Sequence, residues 1–552
     1  MEYILNQWQM QALDEHSIER MGISGLFLME QAARAVLQEM KTFIKNTDRI
    51  LIVVESGNNG GDGLALARML KESEYKVLVY YIHGIKGQSD SFLEQLRLAE
   101  EKEVPIIEDL PTEQTFDVIV DGIFGVGLTR QVKGIHKRVI EWMNRQTAYQ
   151  IAIDMPSGIH ATTGAVMGTA LKADMTVTFG YLKSGLIKFP GAEFAGQIKV
   201  SDIGFALESL WHVKPTLMTF GEGKQAVDDA LSYFPSRFAW AHKGSYGNVL
   251  LVAGSKGMAG AACFAAKAAY RCGCGMVRVI THESNREILG NLVPEAIVMG
   301  YENLQEAYDL LDEAWQWADA VLVGSGLSQS DLAVALTGAV VTYASERKGS
   351  MQVVVDGDAI TILATHNEIM ERYKELPVTS RPHLTFTPHS MELARLCNAA
   401  VSDVSGQELE YAGQYIRKHW LKDWVTIVAK SARTVVTSGY GATYINMTGN
   451  DGMATAGSGD CLAGMLVSIY AQVVRQEQKL TDRLLSESKQ AGLATTMKQP
   501  YFMAACVAVC LHGCAGDVAK REKGRISMTA MDLVESLPEV MKQYDEQRGG
   551  RE

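Results

Sequence analysis

Three carboxylates follow or end short apolar segments in the first half of the chain. Asp62 lies in a glycine-rich run after Ile50–Val54, whereas Asp121 and Asp154 each end an apolar segment of their own. Ligands bind outside the carboxyl ends of the strands in open parallel sheets, so we expect the three carboxylates to converge on one crevice. Two apposed carboxylates such as Asp121 and Asp154 would repel one another unless a proton or a cation lay between them. One or two of the three could instead cap the turns that follow.

The glycine-rich run at 55–63 reads Glu-Ser-Gly-Asn-Asn-Gly-Gly-Asp-Gly, and we expect a helix to begin at Gly63. Glycines lack a Cβ atom, so their backbone N–H groups can approach a phosphate closely. The helix N-terminus adds about half a positive charge at the same place. Asp62 is predicted to cap this helix or to hold a ligand hydroxyl. An ordinary tight turn is the alternative interpretation.

A second motif closes the run 446–460, which ends in Gly457-Ser458-Gly459-Asp460 and leads into a predicted helix. The N–H groups of Ser458, Gly459 and Asp460 would form an anion hole for a phosphoryl group in transfer. Asp460 would lie where it can take a proton from an attacking hydroxyl. An isolated motif of this kind could be an ordinary aspartate cap, but the small residues before it favour the anion hole.

Other polar residues end predicted strands of the second half. Asp356 and Asp358 follow one strand, and Thr387-Pro388-His389 closes another. Residues 430–434 read Lys-Ser-Ala-Arg-Thr, a cationic turn suited to a nucleotide phosphate or to adenosine. His389 or Lys430 alone would more often be structural, but at successive strand ends they fit a single crevice.

The elements that must position the first group alternate between strands and helices. Helices are predicted at Gly63–Glu72 and Asp90–Lys102. Most of the strand segments are continuously apolar, as strands buried on both faces of a parallel sheet are. We predict these strands at Ile50–Val54, Lys76–Tyr81, Asp117–Asp121, Gln150–Asp154, Met175–Phe179 and Gln197–Val200.

A linker predicted near 210–235 separates this half from a second α/β half. In this second half, the polar stretch Gln476–Lys498 is predicted to be an exposed excursion. Its apolar helices are predicted at Ala259–Arg271, Leu462–Val473 and Tyr501–Ala519. Its strands are predicted at Val249–Ala253, Met276–Ile280, Ala320–Val323, Gln352–Val355, Leu384–Thr387, Thr426–Ala429, Thr434–Thr437 and Thr443–Ile445.

Composition excludes several classes of protein. The 552 residues include 52 Lys and Arg against 64 Asp and Glu, a formal charge of -12 that argues against a nucleic-acid binder. Cys506, Cys510 and Cys514 recur on one helix face, which favours an apolar stripe over a metal site. Neither a signal peptide nor a membrane-spanning run is apparent, so we expect a cytoplasmic protein that does not bind membranes.

Three motifs of the first half together resemble the signatures of the NAD(P)H-hydrate epimerase family: Asn58–Gly63, Asp121–Gly127 and Asp154–Gly158. The resemblance implies a Rossmann-like three-layer domain at 1–215, a K⁺ site of Asn59, Asp121 and Ser157, and Asp154 as the substrate-binding residue that transfers a proton. It implies that the hydrated dinucleotide contacts Asn58, Asn59, Gly60, Gly61, Asp62, Gly125, Val126, Gly127, Leu128, Thr129, Arg130 and Gln131.

The second half is similar to the ribokinase-like superfamily and, within it, to the NAD(P)H-hydrate dehydratase family. The resemblance implies a ribokinase-like three-layer α/β domain at 230–552, with Asp460 as the catalytic residue and Gly326 and His389 on the substrate. Mg²⁺ and ADP, or alternatively ATP, would be used there, and we expect ADP. The implied nucleotide-binding residues are Lys430, Ser431, Ala432, Arg433, Thr434, Gly457, Ser458 and Gly459.

Two positions depart from the dehydratase pattern. Ser325 stands after Gly324 where the family usually has proline, and Met391 stands in a turn where the family usually has glycine. Met391 lacks glycine's freedom at positive φ, so we expect an altered loop on the substrate side.

The combined resemblance implies repair of hydrated NADH and NADPH. The first half would interconvert the R and S epimers, and the second would dehydrate the S form after phosphorylating its hydroxyl. We further expect a homo-oligomer. One alternative is a ribokinase-like vitamin kinase in the second half, and another is a non-catalytic Rossmann-like binding module in the first.

Overall fold

The computed structural model describes residues 2–82, 88–343, 351–420, 425–486 and 500–549. The chain divides into two compact units, Glu2–Leu217 and Met218–Glu552. Both are built on parallel strands joined by helices, which confirms the predicted α/β class.

The N-terminal unit contains nine strands and seven helices among its described residues. The helices are α1 Gln7–Glu19, α2 Gly25–Met40, α3 Asn58–Glu72, α4 Asp90–Glu101, α5 Gly134–Met143, α6 Ser184–Ile187 and α7 Leu207–Val213. The strands are β1 Glu2–Leu5, β2 Arg49–Val54, β3 Lys76–Tyr81, β4 Ile106–Ile107, β5 Val118–Gly122, β6 Tyr149–Ile153, β7 Met175–Phe179, β8 Leu182–Lys183 and β9 Gln197–Ser201.

Seven of these strands form a parallel sheet in the order β4-β3-β2-β5-β6-β7-β9. Alternate residues of β2 pack on opposite faces, as the period of a strand requires. Ile52 packs with α2, α3 and α4, whereas Val53 packs with α5. The register pairs Val53 with Asp121 and Asp121 with Ala152, so the carboxyl ends of β2, β5 and β6 lie at one edge.

The C-terminal unit, with the strand at the boundary, continues the numbering. Its helices are α8 Gly223–Ser232, α9 Ala259–Arg271, α10 Arg286–Leu292, α11 Leu304–Trp315, α12 Asp331–Thr342, α13 Asp358–Thr365, α14 Asn367–Glu375, α15 Ser390–Cys397, α16 Val401–Val404, α17 Glu408–His419, α18 Ser458–Ser486, α19 Pro500–Lys523 and α20 Ala530–Gly549. Its strands are β10 Leu217–Thr219, β11 Asn248–Val252, β12 Met276–His282, β13 Ile297–Tyr301, β14 Ala320–Val323, β15 Gln352–Val355, β16 His383–Phe386, β17 Val425–Ala429, β18 Val435–Ser438 and β19 Thr443–Ile445.

The sheet of this unit runs in the order β13-β12-β11-β14-β15-β16-β17-β18-β19. The strands from β13 to β17 are parallel, and β18 and β19 follow as antiparallel neighbours. Helices α9, α18 and α19 form the apolar core on one face. By length and composition α19 could cross a membrane, but 89% of its most apolar 18-residue window is buried inside the protein.

Two sequence predictions are wrong in detail. Helix α3 begins at Asn58 instead of Gly63, so the glycine run forms its first turn. Helix α18 continues to Ser486, through part of the predicted excursion at 476–498. Residues 487–499 of that excursion lie outside the described part of the chain.

Candidate active sites

A cavity of about 700 Å³ lies in the N-terminal unit, beside the carboxyl ends of β2, β5 and β6. Asp14 and Lys183 line it, and the sequence analysis identified neither of them. Most of the residues predicted to bind substrate also line it, namely Asn58, Asn59, Asp62, Gly125, Val126, Gly127, Leu128, Thr129 and Arg130, together with Asp154. The three strand ends therefore meet at one crevice.

Gly60, Gly61 and Gln131 do not line this cavity, although all three were predicted to bind substrate. A Cβ atom on Gly60 would lie 1.7 Å from the carbonyl oxygen of Glu55, and one on Gly61 would lie 2.6 Å from the methyl carbon of Met29. These glycines permit close packing of α3. The Gln131 side chain lies against Gly168.

Asp62 does not cap α3, so the first of its two predicted roles is wrong and the second, holding a ligand hydroxyl, stays a prediction. The N-cap residue is Gly57, and Asp62 lies beyond the first turn, where its side chain lines the cavity. Burial raises the pKa of Asp62 well above its usual value, and the charges of Asp154 and Asp14 raise it further while Lys183 lowers it. Burial and the charge of Asp154 also raise the pKa of Asp14, while Lys183 lowers it.

Asp154 pairs with a lysine instead of facing Asp121. Nζ of Lys183 lies 2.5 Å from Oδ1 of Asp154, and the lysine side chain is only 1% exposed. Burial lowers the pKa of Lys183, and the charge of Asp154 opposes that shift. The expected repulsion between Asp121 and Asp154 is therefore not what shapes this site.

Asp121 is held in a separate, fully buried cluster. Its carboxylate accepts hydrogen bonds from Oγ of Ser157 at 2.7 Å, from N of Ser157 at 2.8 Å and from N of Ile123 at 3.1 Å. Burial raises the pKa of Asp121 to about 6, although hydrogen bonds from Ser157 and Ile123 lower it. Asp121 forms no ion pair within the described residues.

The Asp121 cluster fits a hard monovalent cation. Nδ2 of Asn59 is buried without a hydrogen-bond partner among the described residues. The Asn59 carbonyl oxygen lies 3.2 Å from the place where a side chain on Gly122 would begin. The Asp121 carboxylate, the Ser157 hydroxyl and the Asn59 carbonyl are oxygen ligands of the kind that hard cations prefer, whereas the Asn59 Nδ2 is an N–H donor that would not bind a cation.

The second motif forms the start of α18, as the anion-hole interpretation requires. Gly457 precedes it at φ +91°, where a Cβ atom would meet the ring of Phe264 at 2.7 Å. Ser458 N–H donates to the carbonyl of Thr455 at 3.3 Å, so it is already engaged. The N–H groups of Gly459 and Asp460 belong to the first helical turn, where no carbonyl of the helix can accept them. The N–H groups of Gly459 and Asp460 are therefore available to bind an anion.

Asp460 has the proton affinity of a general base. Burial and the nearby charge of Asp356 raise the pKa of Asp460 to about 6, against opposing contributions from Ser325 and Lys430. A general base works best when its pKa lies near the working pH, because a substantial fraction is then unprotonated while the group remains basic enough to accept a proton.

Lys430 lies between Asp356 and the anion hole. Its Nζ donates to Oδ1 of Asp356 at 2.8 Å, and a side chain on Gly459 would begin 3.1 Å from the same nitrogen. Burial raises the pKa of Asp356, but Lys430, Thr387 and Ser325 together hold it below its ordinary value. The arrangement places a cation beside the position where a phosphoryl group would sit.

The other predicted residues of this unit lie in turns at the same strand ends. His389 caps α15, accepting from N of Met391 at 3.1 Å. Arg433 donates to the carbonyl of Met447 at 2.9 Å. Ser431, Ala432 and Thr434 complete the turn between β17 and β18. Gly326 is left-handed at φ +60°, and its carbonyl accepts from N of Ser255 at 2.7 Å.

The two departures from the dehydratase pattern have different consequences. Met391 lies inside α15 and not at a positive φ, so it does not need the backbone freedom of glycine. Ser325 is buried, and its hydroxyl donates to Oδ2 of Asp356 at 2.9 Å. Ser325 thus joins the network around Asp460.

Comparison with known families matches both units. Residues 249–539 match the NAD(P)H-hydrate dehydratase family, and residues 25–185 match the family described as YjeF-related protein N-terminus. The ADP/ATP-dependent NAD(P)H-hydrate dehydratase from Bacillus subtilis, crystallised with ATP and Mg²⁺, is 25% identical with a TM-score of 0.45. The match covers 58% of this chain and 97% of that one.

Relatives also match nearly the whole chain. The bifunctional NAD(P)H-hydrate repair enzyme of Moorella thermoacetica is 32% identical over 99% of this chain and 98% of its own. That of Thermofilum pendens is 32% identical over 97% of this chain and 95% of its own. Identity at this level along both units shows that the chain belongs to the family of bifunctional NAD(P)H-hydrate repair enzymes.

Proposed function

We propose that this chain repairs hydrated nicotinamide cofactors in two steps. The N-terminal unit interconverts the R and S epimers of NADH and NADPH hydrates. The C-terminal unit then dehydrates the S form at the expense of ADP, with ATP as the alternative. One observation carries this proposal. The chain matches bifunctional relatives along its length, and each of its two units contains a site with a carboxylate.

Epimerisation must break and remake a bond at C6 of the hydrated ring. Asp154 lines the cavity with one carboxylate oxygen engaged by Lys183, and it is the group we assign to proton transfer with the C6 hydroxyl. Asn58, Asn59 and the 125–130 segment would hold the dinucleotide in the cavity. A K⁺ ion held by Asn59, Asp121 and Ser157 would neutralise the buried carboxylate and fix the 121–125 turn.

Dehydration needs a better leaving group than hydroxide, and phosphorylation supplies one. Asp460 accepts the proton of the substrate hydroxyl as that oxygen attacks the terminal phosphorus of the nucleotide. The free N–H groups of Gly459 and Asp460, with Lys430, stabilise the negative charge on the moving phosphoryl group. Loss of phosphate from C6 and of a proton from C5 then forms the C5–C6 double bond of the reduced ring.

Mg²⁺ would enter with the nucleotide. The described residues contain no cluster of three or more His, Cys, Asp or Glu side chains able to hold a metal ion. Phosphate oxygens and water would therefore supply most of its ligands, which is common for Mg²⁺. The cation would screen the charge between the phosphates.

The experiment supplies purified protein with S-configured NADH hydrate, Mg²⁺ and either ADP or ATP, and follows the absorbance of NADH. We expect NADH to form with release of phosphate and loss of one phosphoryl group from the nucleotide. Accumulation of a stable phosphorylated compound without NADH would instead show a small-molecule kinase. Absence of any nucleotide consumption would contradict the proposal.

A further inference from the structure

All three protons of the Lys183 ammonium group are donated in hydrogen bonds within the protein. Its Nζ donates to Oδ1 of Asp154 at 2.5 Å, to Oγ1 of Thr178 at 2.9 Å and to the carbonyl oxygen of Phe179 at 2.7 Å. An ammonium has three protons, and these acceptors use all of them. Lys183 is therefore not arranged to protonate a substrate.

The two oxygens of Asp154 are not equivalent. Oδ1 accepts from Lys183, from Oγ1 of Thr178 at 3.2 Å and from N of Phe179 at 3.3 Å. Oδ2 accepts no hydrogen bond from the described residues and lies 3.5 Å from the place where a side chain on Gly125 would begin. One oxygen is anchored, and the other is left on the side of the Gly125 turn that lines the cavity.

The backbone at Asp154 supports the same interpretation. Its φ of +64° is left-handed, which is uncommon for a residue other than glycine. Such strain persists where surrounding contacts over-determine it, and it is concentrated at functional sites. The bonds to Oδ1 and the bond from N of Asp154 to the carbonyl of Val177 at 2.8 Å hold this conformation.

We propose that Lys183 is a positioning residue of the epimerase, which fixes Asp154 so that only Oδ2 meets the C6 hydroxyl of the hydrated cofactor. The inference rests on the proposed epimerase function. Lys183 acts through Asp154 and exchanges no proton with substrate. Thr178 supports the same geometry because its hydroxyl contacts both partners.

The pair also sets the charge in the cavity. The other charged or titratable groups that line it are Asp14 from α1, Asp62 from α3, Glu55 and Arg130. Lys183 lowers the pKa of both Asp14 and Asp62. Removing its charge should therefore raise both values, so that Asp14 and Asp62 ionise at higher pH in the cavity.

The test compares full-length wild type with Lys183→Met, Thr178→Val and the control Lys172→Met, an exposed lysine of the same unit. R-configured NADH hydrate is supplied with K⁺ and without nucleotide, and formation of the S form is followed from pH 5 to 9. We expect Lys183→Met to lower kcat about 10²-fold, the usual effect of a misplaced catalytic group, with a smaller change in KM. Its acidic limb should move to higher pH, and Lys172→Met should match wild type.

Circular dichroism and urea unfolding of the same samples report whether the N-terminal unit has folded, because dehydratase activity depends on the other unit. If Lys183→Met does not fold, Thr178→Val decides, because it removes a single hydroxyl and should still lower kcat and change the profile. An active wild type with unchanged kcat and pH profile in the folded variants would overturn the role of Lys183. A wild type without epimerase activity would instead overturn the proposed function.

Discussion

Lys430 and Asp356 form a buried ion pair beside the anion hole, with Nζ of the lysine 2.8 Å from Oδ1 of the aspartate. The same nitrogen lies 3.1 Å from the point where a side chain on Gly459 would begin. The pair therefore links the end of β15 to the first turn of α18. Its cation is held where negative charge would develop during phosphoryl transfer.

Lys430→Met should lower kcat/KM of dehydration by at least about 10²-fold, because the moving phosphoryl group loses a preorganised cation. Steady-state kinetics with varied nucleotide would measure the change. Lys256→Met, at an exposed lysine of the same unit, is the control and should behave as wild type. Equal kcat/KM in Lys430→Met and Lys256→Met would exclude Lys430 from the site.

Dehydration should lose rate as the pH falls through about 6. The pKa of Asp460 is raised to about 6, so below that pH the carboxyl is protonated and cannot accept the substrate proton. Ser325 lowers this pKa, so Ser325→Ala should move the acidic limb of the kcat profile to higher pH. A kcat that stays flat from pH 8 to pH 5 would show that Asp460 is not the base.

Epimerisation should depend on potassium. The buried Asp121 carboxylate, the Asn59 carbonyl oxygen and the Ser157 hydroxyl would provide oxygen ligands and negative charge for a monovalent cation. After exhaustive dialysis, rates in potassium buffer should exceed those in sodium buffer at equal ionic strength. Asp121→Asn should abolish the difference, and equal wild-type rates in both buffers would count against the site.

Gly60→Ala should destabilise the N-terminal unit by about 1–3 kcal/mol or more, as overpacking does. Its Cβ atom would lie 1.7 Å from the carbonyl oxygen of Glu55, a clash that exceeds the gain of about 1 kcal/mol in helix propensity. Gly127→Ala is the matched control because nothing lies within 4 Å of its Cβ position. Urea unfolding would compare the two variants, and similar midpoints would contradict the packing role of Gly60.

The buried strands were predictable because parallel strands covered on both faces are continuously apolar. Lys76–Tyr81 and Gln352–Val355 appear with the predicted bounds. Strand β13 at Ile297–Tyr301 was missed because it lies at the sheet edge and is only partly buried, and its sequence contains a glycine. The local pattern carries no sign that the neighbouring strand will pair with it.

Site residues were predictable only where a reactive side chain directly follows a strand or closes a run of small residues at a helix start. Asp154 follows a strand, and Asp460 closes a run of small residues at a helix start. Lys183 could not be predicted, because its partner is 29 residues away and only the fold joins them. One signal was available: a lysine between the apolar Leu182 and the small and apolar residues 184–187 is unusual unless its charge is paired.

The most direct test supplies pure R-configured NADH hydrate with ADP, Mg²⁺ and K⁺, and follows NADH by absorbance. Recovery of NADH from this epimer requires both sites. Wild type should convert all of the R form, and Asp460→Asn should yield no NADH. Asp154→Asn should epimerise about 10²–10⁴-fold more slowly, so NADH appears slowly from the R form and at the normal rate from the S form.

An equimolar mixture of the two variants should restore conversion of the R form. Equal rates of NADH formation from the R form in Asp154→Asn and in wild type would contradict a two-site repair enzyme that uses Asp154.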